Sequence, residues 1–318
     1  MAHKGYLYQL IILLLLIGSS TASLAQSKSN EALPLKIDKA NKKVIKSPEE
    51  AFTLAAEALS ESKKKKDSKS EADACNTLGT LYYNTGDYNK AIEYFTQAKN
   101  LHKNLNDDKS EEYTLKYLAK SFEALNENEK SINYYEQAVD VSNSSSSKNA
   151  YRYENSKIKR KQGKKDEAIK ELENELNTNN TLDPEQKIDI YLELGDLYLE
   201  EKNTKKGVDL INKAIESSYQ DTIVLSDSTT INTMNSAWSI YEKNGMSQLN
   251  VQSQNKILEK AVFANSPEIS SNASFNIGNT YLDLDPDKAT PYLKYSYEVT
   301  KDKPKEKDHI KAVEKLSE

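Results

Sequence analysis

Apolar residues along this chain recur at helical spacing. Ala51, Phe52, Ala55, Ala58 and Leu59 fall on one face of a 3.6-residue period. Ser47, Pro48 and Glu50 stand just before them, in the order expected of an N-cap, a first-turn proline and a capping box. The face then repeats. Ala91, Phe95 and Ala98 follow, then Ser131, Tyr135 and Ala138, then Ala168, Leu172 and Glu175, then Gly207, Ile211 and Ala214. Their first members are spaced 40, 40, 37 and 39 residues apart. A second pattern precedes the copies: Leu78-Gly79 with Tyr82, Leu118-Ala119 with Phe122, Leu194-Gly195 with Tyr198, and Ile277-Gly278 with Tyr281. Self-similarity at such a period predicts stacked helical units that share one continuous core. Polar spacers at Asn143–Ser147 and Asn177–Asn180 fit between units.

These residues resemble the tetratricopeptide repeat, most clearly in Leu78-Gly79 with Tyr82, Gly86-Asp87-Tyr88, Ala91, Phe95 and Ala98. The resemblance covers roughly residues 47–300. It implies an all-α fold, a right-handed superhelical solenoid of antiparallel helix pairs, with about six repeats and a leading half-repeat at 47–65. Gly79 is small where the first helix of a pair lies against the second, and Gly86 sits at the turn, where a left-handed backbone is cheap. Tyr151, Tyr153 and Ile158 fall out of step in the third copy. The fifth has an extended turn around Met246–Gln254, and the sixth is one residue short near Pro286.

The flanks read differently. Lys4 precedes an unbroken apolar run from Leu10 to Ile17, followed by Gly18-Ser19-Ser20 and Ser23-Leu24-Ala25. A helix of that run would span about 12 Å, well short of a hydrocarbon core of about 30 Å. The layout predicts a signal peptide over 1–25, cleaved after Ala25, and a protein exported to the periplasm or secreted, of bacterial type. Residues 26–46 carry six lysines against Glu31 and Asp38 and read as a flexible basic linker. Residues 301–318 read as a charged tail with a short amphipathic capping helix through Ile310, Val313 and Leu316.

Composition narrows the function. The apolar fraction is 37% and the charged fraction 29%, a balance that suits a thin-cored stack. Net charge is -5, which argues against nucleic acid as the main partner. Cys75 is the single cysteine and reads as a small core residue. No phosphate loop, HExxH, GxSxG or CxxC is present, and three histidines are too few for a metal site. No enzyme activity, cofactor or metal is expected, and no membrane span once the signal is removed.

The resemblance implies a scaffold that binds proteins or peptides in a groove lined by the first helix of each pair. Carried over position by position, the groove residues are Asn76, Thr80 and Tyr83; then Tyr113, Lys116 and Lys120; then Tyr153, Lys157 and Arg160; then Asp189, Asp196 and Glu200. Tyr83, Lys116, Lys120, Tyr153 and Lys157 form the candidate peptide site, with the lysines set to receive an acidic segment. An alternative reading is the ectodomain fragment of a sensor histidine kinase or signalling regulator with such repeats.

Overall fold

The computed structural model describes residues 32–219, 227–302 and 314–315. The predicted signal peptide, its expected cleavage point and nearly all of the charged tail lie outside the described residues. Every regular element among the described residues is an α-helix. The chain divides into two compact units, Met1–Val141 and Ser142–Glu318.

The first unit holds α1 (Leu33–Lys43), α2 (Pro48–Lys65), α3 (Ser68–Asn84), α4 (Tyr88–Asn104), α5 (Asp108–Ala124) and α6 (Asn128–Val141). Consecutive helices pack on each other, and α1, α3 and α5 also touch in succession. Among the described residues the unit is therefore three helix pairs, with the first helices of the pairs in contact in succession. The leading segment is a whole pair, which corrects the half-repeat and much of the flexible linker. Leu33, Ile37 and Ala40 are buried against Ala58, Ala74, Ala51 and Leu78. The basic residues do not prevent this, because Lys36 reaches Glu61 at 3.1 Å and Glu57 at 3.6 Å. Asn41 also accepts a hydrogen bond from Thr77 of α3 at 2.8 Å.

Close approach within a pair depends on a missing side chain. A Cβ on Gly79 would stand 2.7 Å from the Phe95 ring. Phe95 is fully buried with Ala91, Tyr82, Leu118 and Phe122. Tyr82 stacks on Tyr94 at 5.5 Å and meets Phe52 edge-on at 5.0 Å, so α2, α3 and α4 share one aromatic seam. Cys75 is buried among these helices, and burial pushes its thiol up to about 12, as befits an inert core residue.

Turns are equally stereotyped. Each of Lys66, Gly86, Asn106 and Asn126 takes a positive φ and is followed by Asp67, Asp87, Asp107 and Glu127. At Gly86 the φ is 81°, its N–H donates to the Tyr83 carbonyl, and the Asp87 N–H donates to the Tyr82 carbonyl. These bonds satisfy carbonyls that a helix end leaves open. Asp67, Asp87 and Asp107 then cap the next helix by accepting from Ser70, Lys90 and Ser110. Ser47 stands at the N-cap of α2 with Pro48 in the first turn, but its side chain makes no cap bond. Glu50, expected in a capping box, instead accepts from Lys43 at 2.7 Å.

A buried polar link crosses the same pairs. His102 of α4 has no exposed surface, and its Nε2 lies 2.9 Å from Asn76 Nδ2 on α3. Asn76 Oδ1 in turn accepts from Thr114 of α5 at 2.8 Å. His102 Nδ1 has no hydrogen-bond partner, and the nearest carboxylate, Asp107, is 4.0 Å away. Burial lowers the imidazole pKa, opposed by Asp107 and helped by Lys69.

The second unit holds α7 (Ser145–Lys161), α8 (Lys165–Thr178), α9 (Pro184–Glu200), α10 (Thr204–Ser218), α11 (Asp227–Lys243), α12 (Ser247–Phe263), α13 (Pro267–Leu284) and α14 (Pro286–Thr300). It is four helix pairs, and α7, α9, α11 and α13 touch in succession. The glycine device recurs. A Cβ on Gly195 would meet Ile211 at 2.6 Å, and one on Gly278 would meet Leu293 at 2.8 Å. The turn expected to be long in the fifth copy is short, because α12 already begins at Ser247 after Gly245 and Met246. In the copy counted as the sixth in the sequence, α13 and α14 are connected by the single residue Asp285, which accounts for the shortened spacing near Pro286.

Three outcomes are expected for the first unit. Phe95→Ala should cost about 3–5 kcal/mol, the range for emptying a large core site. Gly79→Ala should also destabilise, and Phe95→Leu added to it should recover part of the loss, as measured by denaturant unfolding. Unequal slopes are expected for pH. The unfolded chain binds a proton at histidine near pH 6.5, and the folded chain resists it at His102. Stability should therefore fall as pH drops below about 6.5 and continue falling until the lowered folded pKa is reached. The difference between wild type and His102→Gln, followed from pH 7.5 to 5, should show this slope in wild type alone.

Candidate functional site

In the first unit the outward face of α3 and α5 is built from residues three and four apart, which share one side of a helix. Tyr117 is the hub. Its ring lies 5.4 Å from Tyr83, edge-on at 87°, and 4.7 Å from Tyr113. Beneath it, Phe95 stacks at 5.5 Å and ties the surface aromatics to the core. Thr80 and Tyr113 hydroxyls are 3.0 Å apart, which links the two helices across the face. Burial pushes the Tyr113 hydroxyl up to about 12, with Thr80 pulling the other way.

Two cations sit on this aromatic floor. Lys116 Nζ is 5.1 Å from the centroids of both Tyr113 and Tyr117, and Lys120 Nζ is 5.9 Å from Tyr117. Neither lysine forms an ion pair or hydrogen bond with a carboxylate among the described residues. Burial lowers the Lys116 pKa, and the neighbouring Lys120 lowers it further against the pull of Glu112. The structure thus brings Tyr83, Lys116 and Lys120 together. Tyr117 belongs with them and was missed by position-by-position transfer. Its i,i+4 relation to Tyr113 was the available signal.

In the second unit, Tyr153 and Lys157 are neighbours on α7, with Lys157 Nζ 5.1 Å from the Tyr153 ring centroid. Lys157 is also paired with Glu154 at 2.9 Å. Lys157 thus has a counter-ion on its own helix, unlike Lys116 and Lys120. Arg160 is engaged more deeply. Its guanidinium donates to Glu193 at 2.9 Å, Asp196 at 2.5 Å and Glu200 at 2.6 Å. Lys243 of α11 completes the network on Asp196 at 2.9 Å and Glu200 at 2.8 Å, and Lys165 of α8 reaches Glu200 at 2.9 Å. Burial works to raise the Glu200 pKa, but bonds from Lys243, Lys165 and Arg160 outweigh it and hold the carboxylate at about 2. Asp196 and Glu200 therefore serve the joint between α7, α9 and α11 and are not open to a ligand.

Beside that joint is a cavity of about 580 Å³ between α7, α9 and α11. Tyr153, Asp189, Leu192, Asn235 and Ser239 are among its walls. Among the described residues, no group of His, Cys, Asp and Glu could hold a metal ion, and no helix is long and apolar enough to cross a membrane.

Comparison with known proteins agrees with this geometry. Family models described as tetratricopeptide repeat match residues 70–144 and 188–221. The first match runs over α3 to α6, and the second over most of α9 and α10. No curated protein matches the chain. A tetratricopeptide repeat protein from Parabacteroides merdae superposes with a TM-score of 0.52 at 16% identity, over 90% of this chain and 97% of that one. The apo form of the quorum sensor NprR from B. thuringiensis is similar at a TM-score of 0.49 and 9% identity, over 87% of this chain and 90% of that one. Tetratricopeptide repeats thus occupy residues 70–144 and 188–221, and the chain as a whole has the all-helical fold of such repeats.

Proposed function

We propose that this chain is an exported, non-enzymatic scaffold that holds a protein or peptide on the outward faces of the first helices of its pairs. The observation that carries the reading is the platform on α3 and α5. Lys116 and Lys120 are set over Tyr113 and Tyr117 without a carboxylate partner. Two neighbouring cations, one of them desolvated, favour an anion that the protein itself does not supply. Tyr83, Tyr113 and Tyr117 offer flat apolar area and hydroxyls beside that charge, and little side-chain entropy is lost when they are covered. An acidic segment with an apolar or aromatic neighbour fits this chemistry.

Tetratricopeptide repeats supply binding surfaces by stacking, and residues 70–144 include the platform. Export rests on the sequence of residues 4–25, with a short apolar run between Lys4 and the small residues ending at Ala25. On this reading, mass spectrometry of the protein recovered from its native cell should find an N-terminus at Gln26. An intact Met1 on the mature protein would refute cleavage.

The binding claim is tested with a fluorescein-labelled peptide of alternating Glu and Ala carrying one Tyr, read by anisotropy on the full chain. Binding should weaken as salt rises, because partly exposed charges are screened over about 8–10 Å. The double variant Lys116→Glu, Lys120→Glu should bind about tenfold or more weakly, the combined effect expected of two reversed surface charges. Unchanged affinity in a variant with a wild-type unfolding curve would remove this platform from the account.

A further inference from the structure

The cavity of the second unit has a charge pattern opposite to the platform of the first. Around it, Glu193 and Asp196 are bound to Arg160, Asp196 also to Lys243, and Lys157 to Glu154. Asp189 is the exception. It lines the cavity from α9, and its carboxylate makes no ion pair or hydrogen bond among the described residues. Negative charge is thus left over at one point on the wall. The α11 side of the cavity, Asn232, Asn235, Ser236 and Ser239, contributes amides and hydroxyls and no charge.

The surroundings of Asp189 are unlike those of a surface carboxylate. The residue is solvent-exposed, yet nearby protein mass raises its pKa. Lys157 opposes that rise, while Glu185, Asp183 and Glu154 add to it. Such a combination is what a carboxylate in a concave wall would show: open at the mouth, but poorly solvated. On the α7 wall, Tyr153 presents an aromatic ring suited to a cation, and the Lys157 ammonium lies 5.1 Å from its centroid. Asn235 is held in place by Asn276, whose amide donates to its carbonyl at 3.0 Å. One wall therefore supplies a carboxylate, another an aromatic ring, and the third fixed carbonyl and hydroxyl acceptors.

We infer that this cavity is a subsite for a lysine or arginine side chain of a bound polypeptide. The inference rests on the reading of the chain as a peptide-holding scaffold and adds the chemistry of a second contact. A cation here would pair with Asp189, lie against Tyr153, and donate its remaining protons to Asn235 and the serines of α11. An anion would meet Asp189 with no free cation to offset it. The volume of about 580 Å³ is ample for one long side chain and the backbone that carries it.

The test is anisotropy of the full chain at low salt with a fluorescein-labelled peptide of alternating Lys and Ala. Binding should be measurable and should fall about fivefold in Asp189→Asn, as for loss of one ion pair at a partly exposed site. Asp189→Glu should retain it. Ser236→Trp, at an exposed wall position with no hydrogen bond to lose, should block it without touching the charge. Lys116→Glu, Lys120→Glu should not weaken it. No binding by wild type, or equal binding by Asp189→Asn, overturns the inference. Free lysinamide binding as tightly as the peptide would also overturn it, in favour of a small-amine site. Loss of the acidic probe on the first unit would count against the scaffold reading itself. Failure of the basic probe alone would leave that reading standing.

Discussion

In three of the helix pairs the first helix is laid against its partner at a residue with no side chain. At Gly79 the space a Cβ would need is already filled by Phe95. At Gly195 it is filled by Ile211, and at Gly278 by Leu293. In each case a large apolar residue of the second helix reaches over the backbone of the first. Protein interiors have little slack at such points, so spacing and register are fixed together. Once that seam is closed, the other side of the first helix cannot serve the core, and its polar and aromatic residues face outward. The platform of α3 and α5 is the consequence. Phe95 closes the seam from below, and Tyr117 stacks on the same ring from above.

The two units use charge differently for a reason visible in their contacts. In the first, the links between α3 and α5 beside the platform are neutral, Thr80 with Tyr113 and Asn76 with Thr114, and Lys116 and Lys120 remain unspent. In the second, α7, α9 and α11 are joined by charged groups. Arg160, Lys243 and Lys165 converge on Glu193, Asp196 and Glu200, and Asp189 on the cavity wall stays outside that network. A partly buried network of this kind sets the geometry of a joint more surely than it adds stability, because desolvation offsets much of the attraction. On the proposed function, the charges left for binding are those that the joints do not consume.

Much of this was legible in the chain because the packing is local. The recurring faces of Ala91, Phe95 and Ala98, the Leu78-Gly79 pair and the Gly86-Asp87 turn are read within a few residues of each other, and all sit where the pattern placed them. What was hidden depended on distant partners. Leu33, Ile37 and Ala40 have helical spacing, but six lysines nearby masked it, and the acids that receive Lys36 lie 21 and 25 residues on, at Glu57 and Glu61. Arg160 looked like a groove cation until Glu193, Asp196 and Glu200 arrived from 33 to 40 residues away. The pairing of Lys157 with Glu154 is an i,i+3 relation and could have been read directly.

On the proposed function, partners sit on the outward faces of the first helices and not on the second. Site-specific photo-crosslinking in the cell that makes the protein tests it most directly. A benzophenone residue would be placed at Thr80 or Tyr113 on the proposed face, and at Glu93 or Asn100 on exposed positions of α4. The account predicts adducts to another polypeptide from the first two positions and none above background from α4. Equal yields from both faces, or adducts from α4 alone, would contradict it.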